Sequence, residues 1–141
     1  MTMNRDPAPL SSGEPSTGYL LDVNVLLAAI WADHLQHAKI FAWLSGKSVL
    51  LCPLSELGFL RISTNKKVIG APMEKARKLL SQFATDRKAG RISDDLAALD
   101  SHPARSEEVM DLYLADLAAS HGARLGTLDQ AIVHPAADII L

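Results

Sequence analysis

The chain has 141 residues, of which 48% are hydrophobic, so it is long enough for one domain with a sizeable core. No apolar run reaches ~18 residues, which argues against a membrane-spanning helix. The net charge of −2 conceals a basic segment at 61–91, with nine basic and two acidic side chains, and an acidic one at 92–141, with two basic and nine acidic. Such a pairing suits an anionic polymer bound near a metal centre, although solvated helix faces give the same pattern.

Residues 1–18 are rich in Pro, Gly and Ser, and they lack the basic start and apolar stretch of a signal peptide. We therefore expect a flexible N-terminal tail at 1–18 and a single domain at 19–141. The only cysteine, Cys52, cannot form a disulfide within the chain, and its apolar neighbours predict burial. This cysteine usage fits a protein of the reducing cytoplasm.

The domain shows strand-like segments that alternate with helix-like ones. Short apolar runs predict strands at 19–22, 48–52, 91–93, 123–127 and 139–141. Apolar residues at helical spacing predict helices at 25–30, 36–45, 53–62, 73–88 and 106–121. Asn24 and Ser106 are the expected N-caps of the first and last helices, and Gly122 is expected to end the last one. This alternation predicts an α/β fold with a parallel sheet covered on both faces.

Four acidic residues stand at the edges of core-forming segments: Asp22, Glu56, Asp111 and Asp129. In parallel sheets, ligands bind outside the carboxyl ends of the strands, where we expect Asp22, Glu56 and Asp129. Two carboxylates 4 Å apart repel by ~4 kcal/mol at an effective dielectric constant of 20, so a cluster requires protonation or a cation. Oxygen ligands favour Mg²⁺ or Mn²⁺ over zinc. Taken singly, each acid also fits a helix cap or a first-turn position favoured by the helix dipole.

Two other chemistries have weaker support in the sequence. His34 and His37, with Asp33, have the spacing of a zinc pair, but no cysteine partner or HExxH motif accompanies them. A phosphotransferase of the haloacid-dehalogenase kind needs a second aspartate two residues after Asp22, where this chain has Asn24. We therefore favour the four-carboxylate site over both.

The segments around the four acids resemble the PIN-domain family, and within it the VapC toxins of bacterial and archaeal toxin–antitoxin pairs. The matching segments read LLDVNVLLA from Leu20, SELGFLR from Ser55, DLYLADLA from Asp111 and LGTLD from Leu125. Each segment alone is weakly specific, but their order and spacing make the set strong. The resemblance runs from about Tyr19 to the end of the chain and leaves the tail outside.

This resemblance implies a three-layer α/β/α sandwich with a central, mostly parallel sheet and a ribonuclease site. Asp22, Glu56 and Asp111 match the three most regular acids of the family, and Asp129 matches the more variable fourth. Asn24 and Thr127 fall where the family often places small polar residues near the metal. The resemblance also implies an RNA substrate, a homodimer and a cognate antitoxin protein that holds the toxin inactive.

The hypothesis for mechanism is phosphodiester hydrolysis by a metal-activated water, leaving 5′-phosphate and 3′-hydroxyl ends. Asp22 and Asp111 are expected to contact Mg²⁺ or Mn²⁺ directly, and Glu56 and Asp129 to act directly or through water. Asn24 and Thr127 would orient water or substrate, and Arg61 is the expected phosphate contact. RNA would also be steered by some of the other basic residues: Lys66, Lys67, Arg87, Lys88 and Arg91.

Two alternatives remain open at this stage. A catalytically inactive PIN scaffold would use the same fold to bind RNA or a protein, although the presence of all four acids argues against loss of the site. A metal-dependent nuclease of RNA processing, outside any toxin–antitoxin pair, would carry the same motifs.

Overall fold

The structure, a computed structural model, describes residues 17–141. In this part of the chain the strands are β1 Gly18–Leu21, β2 Ser48–Leu51, β3 Gly90–Arg91, β4 Arg124–Thr127 and β5 Ala137–Ile139. The α-helices are α1 Val23–Ile30, α2 His37–Trp43, α3 Pro53–Thr64, α4 Met73–Asp86 and α5 Val109–Ser120. Two short 3-10 helices, Ala98–Asp100 and Ser106–Glu108, lie between β3 and α5.

The strands form one five-stranded sheet in the order β3-β2-β1-β4-β5. Each neighbouring pair of strands runs parallel. The carboxyl ends of all these strands therefore lie at the same edge of the sheet, with β1 in the centre. The α/β class and the parallel sheet predicted from the sequence are confirmed.

Consecutive residues of β1 face opposite sides of the sheet, as the two-residue period of a strand requires. Leu21 packs in one core with Leu26 of α1 and Phe59 of α3, and α2 and α4 contribute to the same core. Leu20 packs in a second core with Leu114 of α5. The sheet is therefore covered on both faces, which gives the three-layer α/β/α sandwich.

Helices α1 and α3 approach each other closely at Gly58. A Cβ atom at this position would lie 2.5 Å from Cγ2 of Val23, so a larger residue requires one helix to move. At the other end of the pair, the indole N–H of Trp31 donates to the Ser63 hydroxyl at 2.9 Å. These contacts fix the first turns of α1 and α3 side by side, where Asp22 and Glu56 stand.

The first helix begins two residues earlier than the sequence predicts. Asp22 is its N-cap, because the Asp22 side chain accepts a hydrogen bond from the Val25 N–H. Asn24 lies inside the first turn, so the prediction of Asn24 as the N-cap is wrong. Asp and Asn are equally good caps, and only the three-dimensional arrangement decides between them.

Other boundaries also differ from the prediction. Ser106 starts a 3-10 helix rather than α5, which begins at Val109 after Glu108 as N-cap. The strand expected at 91–93 is Gly90–Arg91, and the one expected at 139–141 is Ala137–Ile139. The bounds of these short edge strands are set by their pairing with β2 and β4. Pairing between distant segments leaves little trace in the local sequence, so these bounds are hard to predict. Gly122 ends α5 as predicted, with a left-handed φ of 69°.

The tail expected at 1–18 lies, up to residue 16, outside the described residues, and Gly18 already belongs to β1. Among residues 17–141, no helix is long and apolar enough to cross a membrane.

Candidate metal and phosphodiester site

Asp22 is the central and most buried of the four predicted acids. It follows β1 directly, its side chain caps α1, and the residue is 2% exposed. One carboxylate oxygen, Oδ1, accepts from the Val25 N–H at 2.8 Å, and Oδ2 accepts from the Thr127 hydroxyl at 2.5 Å. Burial raises the pKa of the Asp22 carboxyl above its usual range, and these hydrogen bonds oppose that rise.

Asp111 is brought to Asp22 by the first turn of α5. The residue is half-buried, and its pKa is raised to about 7 by burial, by a hydrogen bond with Asp129 and by the negative charges of Asp22 and Asp129. A carboxyl that holds a proton near neutral pH beside two other carboxyls is typical of a functional acid cluster.

Asp129 completes this group of carboxylates after the end of β4. Its N–H donates to the Thr127 hydroxyl oxygen at 3.0 Å, and its Oδ1 accepts from the Ala131 N–H at 2.9 Å. The fully buried Thr127 hydroxyl therefore donates to Asp22 and accepts from Asp129. Thr127 thus links Asp22 and Asp129 in one hydrogen-bonded unit. We call the three aspartates Asp22, Asp111 and Asp129, with the Thr127 hydroxyl between two of them, the aspartate cluster.

Glu56 lies in the first turn of α3, at the same edge of the sheet, but its carboxylate is paired elsewhere. Its Oε2 accepts a hydrogen bond from the guanidinium of Arg91, the last residue of β3. The charges that act on Asp22 and Asp111 come from the aspartate cluster, and Glu56 is not among them. The sequence missed this ion pair because its members are separated by 35 residues and meet only through β3.

The N-termini of two helices lie at the aspartate cluster. Asp22 caps α1, and Asp111 stands in the first turn of α5. The partial positive charge of a helix N-terminus stabilises carboxylates and also binds phosphate groups. This part of the site can therefore hold negative charge both on the protein and on a bound nucleic acid.

The donor set of this site fits a hard divalent cation. The cluster offers only carboxylate and hydroxyl oxygens, which are the ligands that such a cation prefers. The mutual electrostatic effect of the three carboxyls shows that they lie close together. Even so, no three His, Cys, Asp or Glu side chains in residues 17–141 stand in a ready-made ligand arrangement. A bound cation would therefore require these side chains to rearrange.

The two remaining predicted residues lie outside the aspartate cluster. Asn24 is exposed in the first turn of α1, and its backbone N–H contributes a hydrogen bond to the Asp22 carboxylate. Arg61 is exposed on α3, beside Leu57 and Met73, and forms no ion pair among the described residues. Asn24 thus lies beside Asp22 at the start of α1, and Arg61 lies on the exposed surface of α3.

The histidines considered for zinc serve the local backbone instead. Nδ1 of His34 accepts from the Gln36 N–H at 3.0 Å, and Nδ1 of His37 lies 2.8 Å from the Ala28 carbonyl oxygen. A different histidine contact was missed by the sequence: Nε2 of His134 lies 2.7 Å from Oδ1 of Asp116. This contact ties the segment after Asp129 to α5, and the loop position of His134 gave no signal for it.

Curated relatives identify the family. No family model matches the chain. Ribonuclease VapC38 of Mycobacterium tuberculosis is 35% identical over 121 residues, which cover 80% of this chain and 86% of the relative. The chain belongs to the VapC ribonucleases of the PIN-domain family. VapC44 and VapC29 of the same organism are 34% and 30% identical, over 80% and 85% of this chain and 87% and 92% of the relatives.

A solved structure shows the same fold as this VapC-family chain. It is that of VapBC2 from Rickettsia felis bound to a DNA fragment from their promoter. The TM-score is 0.54 at 18% sequence identity, and the match covers 81% of this chain and 89% of the solved one.

Proposed function

We propose that this chain is a Mg²⁺- or Mn²⁺-dependent endoribonuclease and the toxin of a toxin–antitoxin pair. Its relatives are named ribonucleases, and they match most of the chain. The observation that carries the proposal is the aspartate cluster, in which burial and the neighbouring Asp129 and Asp22 raise the pKa of Asp111 to about 7. The repulsion between these carboxylates is relieved by a divalent cation, which takes the place of the Asp111 proton.

In this proposal Asp22 and Asp111 hold the cation directly, and Asp129 and Glu56 complete the site directly or through water. When bound, the cation supplies a water of lowered pKa and stabilises charge on the scissile phosphate. Thr127 keeps the Asp22 carboxylate oriented, and Asn24 and Arg61 orient the substrate at the rim. The amides at the helix N-termini stabilise the developing negative charge.

The proposed reaction does not use the ribose 2′-hydroxyl as a nucleophile. A new bond forms between the water oxygen and phosphorus, and the bond between phosphorus and the 3′ oxygen breaks. The water proton would pass to a carboxylate of the cluster, and the departing 3′ oxygen would take up a proton from a solvent water. The products carry a 5′-phosphate and a 3′-hydroxyl.

The test of this activity is cleavage of total cellular RNA by the purified protein. We expect cuts that require Mg²⁺ or Mn²⁺, stop with EDTA and disappear in Asp22→Asn. Asp100→Asn is the matched control, because Asp100 is exposed in a 3-10 helix and its side chain forms no hydrogen bond or ion pair among the described residues. Cutting that survives EDTA or Asp22→Asn would reject the proposed mechanism. A protein that binds metal and RNA but cuts neither total RNA nor purified RNA classes would support the inactive-scaffold alternative.

The toxin role is supported by the fold that the chain shares with the VapBC2 structure. We propose that a cognate antitoxin binds this chain and that the protein acts on RNA in the cytoplasm. Induced expression should arrest growth, and co-expression of the antitoxin or the Asp22→Asn change should relieve the arrest. An active ribonuclease that leaves growth unaffected would favour a role in RNA processing.

A homodimer is also part of the proposal. Leu57, Met73 and Met110 are 63%, 51% and 43% exposed, and they line one shallow cavity between α3, α4 and α5. Contiguous exposed apolar side chains of this kind mark protein interfaces. Leu57→Glu should convert a dimer into a folded monomer, as measured by light scattering. A wild-type protein that is monomeric at high concentration would contradict this part.

A further inference from the structure

The ion pair between Arg91 and Glu56 joins the one predicted acid outside the aspartate cluster to a long cationic side chain. From this contact we propose that Arg91 neutralises Glu56 in the metal-free protein and binds an RNA phosphate when Glu56 turns to a bound cation. The inference rests on the proposed function and deepens it, because it names the group that receives the phosphate.

The backbone places Arg91 at the site without fixing its side chain. Arg91 pairs with Leu51 in the parallel register of β3 and β2, and the next N–H, that of Ile92, donates to the Leu51 carbonyl at 3.0 Å. The carboxyl end of β3 is therefore firmly attached to the sheet edge that carries Glu56. The guanidinium extends from this anchored backbone on a flexible chain of methylene groups.

The exposure of the two side chains makes this ion pair weak. The Arg91 side chain is 60% exposed and that of Glu56 is 18% exposed. Ion pairs with one partner so open to water are weak, because solvent screens them and both side chains lose freedom. Glu56 would therefore be available to a divalent cation held by the aspartate cluster.

The released arginine is suited to phosphate. A guanidinium has five N–H donors in a planar fork that matches two phosphate oxygens. The hydrogen bond to Glu56 is its one side-chain interaction in the described part of the chain. Asp22, the N-cap of α1, and Glu56, in the first turn of the neighbouring α3, stand at the same edge of the sheet as Arg91, so the freed guanidinium lies at the edge where the cluster would bind a phosphate.

A second ion pair provides a matched control. Arg105 donates to Glu108 at 3.1 Å, and the two side chains are 56% and 20% exposed, close to the values for Arg91 and Glu56. Arg105→Gln removes the same charge from a pair of the same kind outside the aspartate cluster. Any general effect of charge on cation binding appears in both variants.

The first measurement titrates Mn²⁺ into the metal-stripped full-length protein and follows free Mn²⁺ by electron paramagnetic resonance. Arg91→Gln should bind Mn²⁺ about two- to fivefold more tightly than wild type, because Glu56 is already free. Arg105→Gln should bind it as wild type does. Equal shifts in both variants, no shift in either, or weaker binding by Arg91→Gln would overturn the proposal.

The second measurement follows a 5′-phosphorylated dinucleotide at saturating Mn²⁺ by fluorescence anisotropy. Arg91→Gln should weaken its binding by roughly tenfold, with Arg105→Gln unchanged and Arg91→Lys intermediate. Unchanged dinucleotide binding in Arg91→Gln would overturn the transfer to phosphate. If wild type binds no Mn²⁺, the metal dependence itself fails, whereas wild-type Mn²⁺ binding that ignores Arg91 overturns only this inference.

Discussion

The hydroxyl of Thr127 donates a hydrogen bond of 2.5 Å to Oδ2 of Asp22, across a separation of 105 residues in the chain. Both residues are buried, and they stand at the carboxyl ends of the adjacent parallel strands β1 and β4. The same hydroxyl accepts from the Asp129 N–H. The Thr127 side chain therefore holds Asp22, which follows β1, next to Asp129, which follows β4. Thr127 thus stabilises the arrangement of the aspartate cluster.

Removal of the Thr127 hydroxyl should cost both stability and activity. Thr127→Val keeps the shape but leaves Oδ2 of the buried Asp22 without its donor, which should lower the free energy of unfolding by about 1–3 kcal/mol. The measurement is urea denaturation of the metal-free protein. Thr127→Ser retains the hydroxyl and should recover most of the loss; equal destabilisation by Ser and Val would show that the methyl packing matters instead.

The metal-free protein should become less stable as the pH rises toward neutrality. Asp111 has a pKa raised from its ordinary 3.8 to about 7 in the folded protein. Between these values the folded state keeps a proton that the unfolded state has released, so the free energy of unfolding falls as the pH rises and levels off above about 7. The melting temperature should therefore be higher at pH 5 than at pH 7.5.

The change Asp111→Asn should flatten this part of the pH profile, because the amide does not titrate. Asp100→Asn should keep the wild-type slope, since Asp100 lies outside the cluster. The two profiles are measured by thermal unfolding in EDTA at constant ionic strength. A wild-type profile that rises between pH 5 and 7.5 would show that Asp111 does not carry the raised pKa.

The close contact between Gly58 and Val23 should be visible in a double-mutant cycle. Gly58→Ala introduces a Cβ that would lie 2.5 Å from a Val23 methyl, and the resulting strain should exceed the gain in helix propensity. We expect a net loss of about 1 kcal/mol in unfolding free energy. Val23→Ala in the same chain should recover part of it, whereas strictly additive effects would mean that the helices shift freely.

Much of the fold follows from local sequence patterns. The adjacent Leu20 and Leu21 predicted a strand buried on both faces, and the structure places them in separate cores. Gly122 predicted the end of α5, because glycine adopts the left-handed conformation found there. Three of the four acids were expected at the carboxyl edge from the rule for parallel sheets alone.

The remaining features depend on tertiary geometry that local patterns do not encode. Asp22 and Asn24 are both good N-caps two residues apart, and the choice of Asp22 follows from its contact with Val25. The pairing of Glu56 with Arg91 requires β3 to lie beside β2, and β3 has only two residues. A strand so short gives little periodic signal, so the sequence could not predict that Arg91 is the partner of Glu56.

The central claim is that Asp22, Asp111 and Asp129 form one site for a divalent cation. The most direct measurement is Mn²⁺ binding to the metal-stripped protein at pH 8, where Asp111 is ionised. Wild type and Asp100→Asn should bind Mn²⁺ equally, and Asp111→Asn should bind it at least about tenfold more weakly, since it removes one charged ligand. Equal Mn²⁺ affinities in all three proteins, or no Mn²⁺ binding by wild type, would contradict the account.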